Sequence, residues 1–376
     1  MAATRLLAIL LLWVSGHSIA AVLEADRADA MYHSYQGGGM KIDGPAILIR
    51  KQASDSIAIS GYYYLDRISS ASVDVLSTAS PYSEDRHELQ LGVEYLREKT
   101  LMTLNLRQSD EDDYLARSFS VGVSQDTFGD MTNLSLGVGY GDNEVRRNGD
   151  DSFEQRAQQF RIRAGINQIL TRNLTSALNL EAIVDKGYLN NPYRSVRYLD
   201  SSQPAGFGYQ TEIYPDERYS AAARFSVSYF LPYRAALMSH YRYFADSWQI
   251  RASDIELGYR QPLGDAFELE FKARYYQQTQ ASFYADLFPY RNAQNYLARD
   301  KELSDFTDLT LGLGLTYQLP SSLTINDWPA ELSLQWDHIQ FDYNNFRDPR
   351  QAGGIGNEPL YQFSANVVRA FYSVYF

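Results

Sequence analysis

The chain has 376 residues and a formal net charge of −12, and it contains no cysteine. The lack of cysteine excludes disulfides, thiolate metal sites and covalent haem attachment, and the acidity disfavours nucleic acid as a partner. The mean hydropathy of −0.38 does not argue for a soluble protein if the chain forms a membrane β-barrel, in which only alternate residues face lipid. The 30 tyrosines and 18 phenylalanines suit the aromatic girdles of such a barrel.

The N-terminus has the pattern of a secretory signal peptide. Arg5 gives a positive start, residues 6–14 form an apolar run, and Ser18 and Ala20 are small residues at the cleavage positions. The apolar run is too short to span a membrane as a helix. We therefore predict a signal peptide at 1–20, a short periplasmic leader at 21–27 and one barrel domain at 28–376.

From residue 28 onward, short segments alternate between apolar and polar residues, which is the period of a β-strand. Phe267, Leu269 and Phe271, for example, alternate with Glu268 and Glu270. We predict an all-β protein, a closed antiparallel transmembrane barrel of sixteen strands, with fourteen as the alternative because the first two segments fit either face. The predicted strands lie at 28–36, 43–52, 55–66, 84–97, 99–109, 113–124, 131–141, 155–169, 172–186, 217–230, 234–246, 250–261, 265–277, 306–319, 328–342 and 360–376.

The predicted connections are short at one end of the barrel and long at the other. Counting from a periplasmic N-terminus, the long connections all fall on the extracellular side, at 68–83, 141–154, 187–216, 278–304 and 344–359. Short periplasmic turns and long extracellular loops are typical of outer-membrane barrels. We therefore predict that the chain lies in the bacterial outer membrane, in contact with its lipid and lipopolysaccharide.

The last predicted strand has one apolar face that ends in an aromatic residue. Val368, Ala370, Tyr372, Val374 and Phe376 occupy alternate positions and therefore point to the same side. This strand resembles the closing strand of bacterial outer-membrane barrels, in which the terminal aromatic residue serves as the assembly signal. We expect Tyr372, Val374 and Phe376 to carry that signal to the barrel-insertion machinery.

Five further stretches are distinctive: MYHSYQ (31–36), SDEDDYLARSFSVGVS (109–124), YLNNPYRSVRY (188–198), HYRYFADSWQIRASDIELGYRQPLG (240–264) and RYYQQTQASFYAD (274–286). With them the chain resembles a proteobacterial outer-membrane barrel family whose function is not assigned, over nearly all of the mature chain. Members of that family are often encoded near a flavin-attaching transferase and a thioredoxin-like protein. The resemblance thus implies a periplasmic redox partner as one candidate, and it implies no catalytic residue and no cofactor.

Ionisable side chains concentrate on the predicted inward face. Adjacent strands lie about 4.8 Å apart, so opposite charges on neighbouring strands can pair. Two interpretations are open: a charged constriction that selects solutes, or a wall of mutually neutralising pairs that keeps the lumen wet. The predicted lumen charge patch consists of Arg161, Arg163, Glu181, Arg224, Arg242, Glu256, Arg260, Glu268, Glu270, Lys272 and Arg274.

The sequence favours a channel or transport pore with a mixed-charge lumen, and its acidity suggests a modest cation preference. The alternative is a plugged barrel that acts as a structural or partner-binding scaffold for a periplasmic or surface redox or metal system. A remote alternative is a barrel hydrolase, in which His240 would act with Ser226 or Ser228 and a carboxylate such as Glu256. Nothing in the sequence fixes that geometry, so we predict that the chain is not an enzyme.

Two features of the loops and of the lumen are less specific. Acidic clusters at 110–113 and 150–154 lack the spacing of a calcium loop, so we predict solvated charge and no metal site. Inward glycines either make room for a loop folded into the lumen, the loop at 187–216 or at 278–304, or relieve crowding within the sheet. These glycines are Gly122, Gly137, Gly139, Gly312 and Gly314.

Overall fold

The computed structural model describes residues 23–70 and 82–376, so the predicted signal peptide and most of the first long connection lie outside the described residues. Two short 3-10 helices, Lys301–Leu303 and Ser321–Leu323, and eighteen strands make up the described elements. The strands of the barrel wall are β1 (Arg27–Gly37), β2 (Met40–Ser54), β3 (Ile57–Ser70), β4 (Tyr82–Arg97), β5 (Thr100–Asp110), β6 (Tyr114–Thr127), β7 (Thr132–Arg146), β8 (Glu154–Thr171), β9 (Leu174–Gly187), β12 (Glu217–Phe230), β13 (Ala236–Asp246), β14 (Arg251–Leu263), β15 (Phe267–Gln278), β16 (Phe306–Gln318), β17 (Ala330–Arg347) and β18 (Leu360–Tyr375).

These sixteen wall strands form one closed antiparallel barrel, which confirms the predicted fold and strand number. Neighbours in the wall are neighbours in the chain, except that β12 pairs with β9 across a long loop and that β1 pairs with β18 to close the barrel. The remaining two strands, β10 (Ser195–Leu199) and β11 (Phe207–Thr211), form a separate hairpin within that loop. Within the described ranges, no helix is long and apolar enough to cross a membrane.

Observed and predicted strand bounds differ by a few residues. The largest differences are at the ends of β7, which continues to Arg146 beyond the predicted 141, and of β17, which continues to Arg347 beyond the predicted 342. The reason is visible in β17. Its ladder with β18 shifts register between Asp342 and Arg347. Such an irregularity interrupts the strict alternation of faces, so the sequence pattern stops before the strand does.

Large apolar side chains point outward and polar ones inward. On β16, Leu309, Leu311 and Leu313 are exposed on the outside of the barrel, whereas Asp308 and Thr310 are buried on the inside. This arrangement is the reverse of a soluble protein and is what a lipid-embedded barrel requires. The chain is therefore an outer-membrane β-barrel in a membrane lipid environment.

The last strand closes the barrel against the first. β18 pairs with β1 from Arg27 opposite Tyr375 to Gly37 opposite Ala365. Beyond the ladder, the ring of Phe376 packs on Trp328 with centroids 5.2 Å apart. The terminal aromatic residue thus belongs to the rim at the end of the barrel where the turns are short.

The described N-terminal segment enters the barrel at this same end. Leu23 is buried and packs with Ala58, Leu96 and Leu101, which are inward residues of β3, β4 and β5. Arg50, also buried, pairs with a glutamate on β4 and donates to the backbone of the segment. The segment therefore covers part of the inner wall near the short turns.

Candidate functional site

The charged residues predicted for the lumen all occupy inward positions of their strands. They lie on β8, β9 and β12 to β15, which are consecutive in the barrel wall, so they form one continuous region. Residues that alternate with them, such as Leu180, Phe225 and Phe271, are exposed on the lipid side. The period of two in the sequence therefore assigned these side chains to the correct face.

Two arginines on β8 share one carboxylate on β9. Nε of Arg163 donates to Oε1 of Glu181 at 2.8 Å, and Nε of Arg161 lies 3.4 Å from the same oxygen. All three side chains are partly exposed to the lumen, so each pair contributes only about 0–1 kcal/mol to stability. Because two guanidinium groups face one carboxylate, this part of the wall keeps an excess of positive charge.

Two glutamates on β15 share one arginine on β14. Arg260 lies 3.3 Å from Glu268 and 3.0 Å from Glu270. Their partner is thus Arg260 of the neighbouring strand. Lys272, the next inward residue, pairs with Asp337 of β17 at 2.8 Å.

Asp254 of β14 is bound by a histidine and an arginine. His240 donates from Nε2 to Oδ1 of Asp254 at 2.9 Å, and Arg274 lies 3.7 Å from the same oxygen. Arg274 also lies 3.3 Å from Asp308, which is buried on β16. These contacts therefore link four consecutive strands, β13 to β16.

His240 does not form the serine–histidine pair of the hydrolase hypothesis. Ser226 lies opposite His240 in the β12–β13 ladder, as that hypothesis requires. However, Nδ1 of His240 accepts a hydrogen bond from Arg224 at 2.9 Å, while Nε2 is engaged with Asp254. Neither ring nitrogen is left to accept the proton of a serine hydroxyl.

Arg224 and Arg242 lie directly opposite each other on β12 and β13. Arg224 contacts His240, and the guanidinium of Arg242 lies 5.7 Å from the ring centroid of Phe244. Among the arginines of the predicted lumen charge patch, these two have no carboxylate within 4.0 Å. Like charges directly opposite each other destabilise a sheet, so this pair has an electrostatic cost.

Extracellular loops form a cap over one side of the barrel mouth. We define the cap as residues 188–216, 279–305 and 348–359, the connections that follow β9, β15 and β17. Aromatic residues of the cap, including Tyr214 and Phe283, pack against inward aromatic residues at the tops of the strands, including Tyr343 and Tyr361. The sequence had considered inward folding of the first two of these loops, and both take part.

Buried ion pairs join the three cap loops. Arg197, which is 1% exposed, lies 2.7 Å from Asp286 of the second loop and 2.6 Å from Glu358 of the third. Arg299 also binds Asp286, at 2.9 Å, and its guanidinium lies 4.5 Å from the ring centroid of Phe346. Breaking a buried pair by removing one partner costs about 3–5 kcal/mol, so this cluster holds the loops in one arrangement.

A buried glutamate lies where the first two loops meet. Glu212 accepts hydrogen bonds from the backbone N–H of Arg299 and from the hydroxyl of Tyr214, both at 2.6 Å. Burial, together with the nearby carboxylate of Asp300, raises the pKa of Glu212 to about 7. The cap therefore contains a carboxyl group that titrates near neutral pH.

The side of the lumen away from the cap is open and polar. A cavity of about 440 Å³ runs along β4 to β8. Its wall is made of small or uncharged polar side chains and of three arginines. These inward residues are Gln90, Thr103, Asn105, Arg107, Ser118, Ser120, Gly122, Gly137, Gly139, Gly141, Gln159, Arg161 and Arg163.

The inward glycines do not provide space for a loop. A Cβ atom at Gly137 would have Val121 O as its nearest neighbour at 3.7 Å, and one at Gly139 would have Phe119 O at 3.5 Å. At Gly312 the nearest atoms belong to Asp337 and Lys272, which form an ion pair there. The neighbours are strand residues, so these glycines widen the lumen or make room for wall side chains.

A second cavity, of about 470 Å³, lies between the cap and the wall. Arg242, Phe244 and Tyr276 line it from the wall, and Asp300 and Glu302 line it from the cap. The cavity therefore has aromatic surfaces and charges of both signs.

Three carboxylates converge at the extracellular end of β4. Ligand oxygens of Glu84, Glu111 and Asp113 lie within 4.8 Å of one another. Carboxylate oxygens are ligands that Ca²⁺ or Mg²⁺ takes, but Arg86 lies 3.9 Å from Glu111 and already supplies positive charge. Burial raises the pKa of Glu111. The sequence showed the acidic cluster at 110–113 but gave no sign that Glu84 joins it, because Glu84 is distant in the chain.

Comparison with known proteins identifies a family and a shared fold. The model of a family described as "Protein of unknown function (DUF3570)" matches residues 69–331, more than half of the chain. No curated protein matches the sequence.

Solved structures with a similar fold are outer-membrane proteins. A loop L8 deletion mutant of OmpT from Vibrio cholerae has 9% identity and a TM-score of 0.46, with 93% of this chain and 98% of that chain covered. OpdK of Pseudomonas aeruginosa with vanillate has 11% identity and a TM-score of 0.46, with 95% and 100% covered. The siderophore receptor PirA of P. aeruginosa has 12% identity and a TM-score of 0.44, with 87% of this chain and 60% of that chain covered.

The prediction that the chain is not an enzyme is corrected by these comparisons. The similar structures include OmpT and a siderophore receptor beside OpdK. A fold shared in this way does not support a non-enzymatic assignment, and enzyme status is open.

Proposed function

We propose that this chain, which belongs to the DUF3570 family of proteins of unknown function, is an outer-membrane channel whose passage follows the uncapped side of the lumen. The observation that carries the proposal is the asymmetry of the interior. The cap packs on the tops of β13 to β18, whereas the cavity of about 440 Å³ lies along β4 to β8. Sixteen strands enclose an interior wide enough for an aqueous passage where loops do not fill it.

The lining of the open side suits small polar solutes. Hydroxyl, amide and glycine positions predominate there, and the charged residues are arginines. Arg107 pairs with Glu88 at 2.5 Å, and Arg161 and Arg163 share Glu181. We therefore propose a preference for anions, in place of the cation preference that overall acidity suggested.

Single-channel conductance of the purified protein in a planar bilayer tests the proposal. We expect stable conductance steps for the wild type and a smaller step for Gly139→Leu, because that side chain would project into the open cavity. Gly61→Leu is the matched control, since an added Cβ there has nothing within 4 Å and the position lies on the lipid side of β3. Equal steps in both variants would overturn the proposed path.

A plugged barrel that serves as a scaffold is the second candidate function. The buried ion pairs that join the cap loops favour it, because they hold a filled mouth in a fixed arrangement. If the folded protein shows no conductance in the bilayer, this candidate is supported. A periplasmic redox partner, implied by the family resemblance, would then be sought by cross-linking at the end with short turns.

Assembly partners follow from the closing strand. We expect the barrel-insertion machinery to bind β18, and a variant that lacks Phe376 to give less folded protein in the outer membrane. Unchanged abundance of that variant would show that the terminal residue is not used.

A further inference from the structure

In the predicted lumen charge patch, every cation except Arg224 and Arg242 lies within 4.0 Å of a carboxylate. Inward arginines on other strands are also paired, as in Arg50 with Glu94 and Arg369 with Asp337. In the described wall, Arg224 and Arg242 have none and face each other across two adjacent strands. A wall that served only to stay wet and paired would gain stability from a carboxylate at either position.

The nearest carboxylate to Arg242 in the ladder is used elsewhere. Asp254 is the register partner of Arg242 on β14, but it is bound by His240 at 2.9 Å and faces Arg274 at 3.7 Å. His240 in turn accepts a hydrogen bond from Arg224. The histidine thus separates Asp254 from the two guanidinium groups. Glu256 lies 3.7 Å from Nδ1 of His240 and forms no ion pair within 4.0 Å of either arginine.

We propose that Arg224 and Arg242 form a binding position for small organic carboxylates on the lumen wall, directly below the cavity under the cap. The inference rests on the proposed channel function and names its solute class. Guanidinium groups bind carboxylates in a planar, bidentate manner, and two of them side by side provide donors for both oxygens.

Aromatic side chains near Arg242 would add apolar contacts to the binding of an organic carboxylate. Arg242 also lines the cavity of about 470 Å³, next to Phe244 and Tyr276. Two of the carboxylates that line this cavity are already engaged, since Asp300 of the cap pairs with Arg194 and Asp185 of β9 accepts from Gln159. A carboxylate that carries an aromatic ring could place its ring against the wall aromatics, so benzoate should bind more tightly than acetate.

Thermal unfolding of the detergent-folded protein tests binding without any need for conductance. We expect sodium benzoate to raise the melting temperature above that in sodium chloride of equal ionic strength. In Arg242→Gln and in Arg224→Gln this shift should be lost, with the apparent dissociation constant about tenfold higher or more, because a charge-assisted contact is removed. Neither variant should be less stable than the wild type without benzoate, because each relieves a like-charge contact.

Arg369→Gln is the matched control. It removes an inward arginine of the same kind, but Asp337 keeps Lys272 as a partner. The control should retain the benzoate shift. An absent shift in the wild type, an unchanged shift in both Gln variants, or an equal loss in the control would each overturn the inference.

Bilayer recordings separate this inference from the proposed function. If the wild type conducts, Arg242→Gln should move the reversal potential in a KCl gradient toward potassium selectivity and abolish block by benzoate. Conductance with an unchanged response to benzoate would overturn the carboxylate position and leave the channel intact. No conductance with a preserved thermal shift would overturn the channel and leave the binding position intact.

Discussion

Glu212 shows how one side chain can make the cap sensitive to pH. Its folded-state pKa of about 7 is above the ordinary value of 4.5, so the folded cap binds the proton more tightly than the unfolded chain does. The contribution of this group to cap stability is therefore complete below pH 4.5 and is lost as the pH rises through 7.

We predict that the cap opens more readily at pH 8 than at pH 5.5 in the wild type, and that Glu212→Gln weakens this dependence. The neutral amide keeps an oxygen for the N–H of Arg299 but has no charge to bury. The measurement is hydrogen–deuterium exchange of the cap amides, corrected for the intrinsic effect of pH. A steep dependence that persists in the variant would assign the effect to another group.

At the scale of single residues, the sequence predicted which face of a strand each side chain occupies, but not which residue it pairs with. Alternation placed Arg224 and Arg242 inward because lipid permits only apolar side chains on the other face. It could not show that His240 would take up Asp254, because that depends on side-chain rotamers in three adjacent strands. The like-charge pair was therefore visible only in the structure.

At the scale of elements, the strands were predictable because apolar and polar residues alternate along each of them. The two weakest predicted segments are present as β1 and β2, since β1 must pair with β18 to leave no open edge. The β10–β11 hairpin was not predicted. It is short, and its residues pair with each other and with the second cap loop rather than with the barrel, so no period of faces marks it.

Substitutions on adjacent residues of β15 test the assignment of faces. We predict that Phe271→Arg lowers the free energy of unfolding by about 2–4 kcal/mol if the side chain lies near the membrane midplane. Phe271 is 47% exposed on the lipid side. Glu270→Gln, on the inward face next to it, should cost less than about 1 kcal/mol because its ion pair is exposed to water.

Urea titration of the folded protein in lipid vesicles measures both changes. The two substitutions differ by one position in the same strand, so they lie at nearly the same depth and differ in the face that they occupy. A tolerated Phe271→Arg together with a damaging Glu270→Gln would mean that β15 faces the opposite way.

At the scale of the whole molecule, the barrel and the cap depend on different physics. The wall is fixed by ladder hydrogen bonds between strands that are close in sequence, and by the requirement that lipid face apolar groups. The cap is fixed by contacts between loops far apart in the chain, such as Arg197 with Glu358. The alternation of apolar and polar residues in the sequence reflects the first kind of constraint. Contacts between distant loops leave no periodic pattern, so the strands could be predicted from the sequence and the arrangement of the loops could not.

Because the two parts are held independently, the cap should be separable from the barrel by one substitution. We predict that Arg197→Met releases the cap and leaves the barrel folded. The change leaves the buried carboxylate of Glu358 without its cation and Asp286 with Arg299 alone, at a cost of about 3–5 kcal/mol within the cap. The wall meets this cluster only at the end of β17, where Arg347 donates to Asp286 and to the backbone of Glu358, so heat-modifiable migration of the barrel on gels should be unchanged.

The released loops should increase conductance and its noise, because the capped side of the mouth becomes accessible to ions. Arg234→Met is the matched control, since it removes the same group from an exposed pair with Asp265 at the opposite end of the barrel, where such a pair contributes about 0–1 kcal/mol. Cap amides in Arg197→Met should also lose protection from hydrogen exchange, whereas those in the control should not. If Arg197→Met keeps both the wild-type conductance and the protection of the cap, the aromatic contacts alone hold the loops and the ion cluster is dispensable.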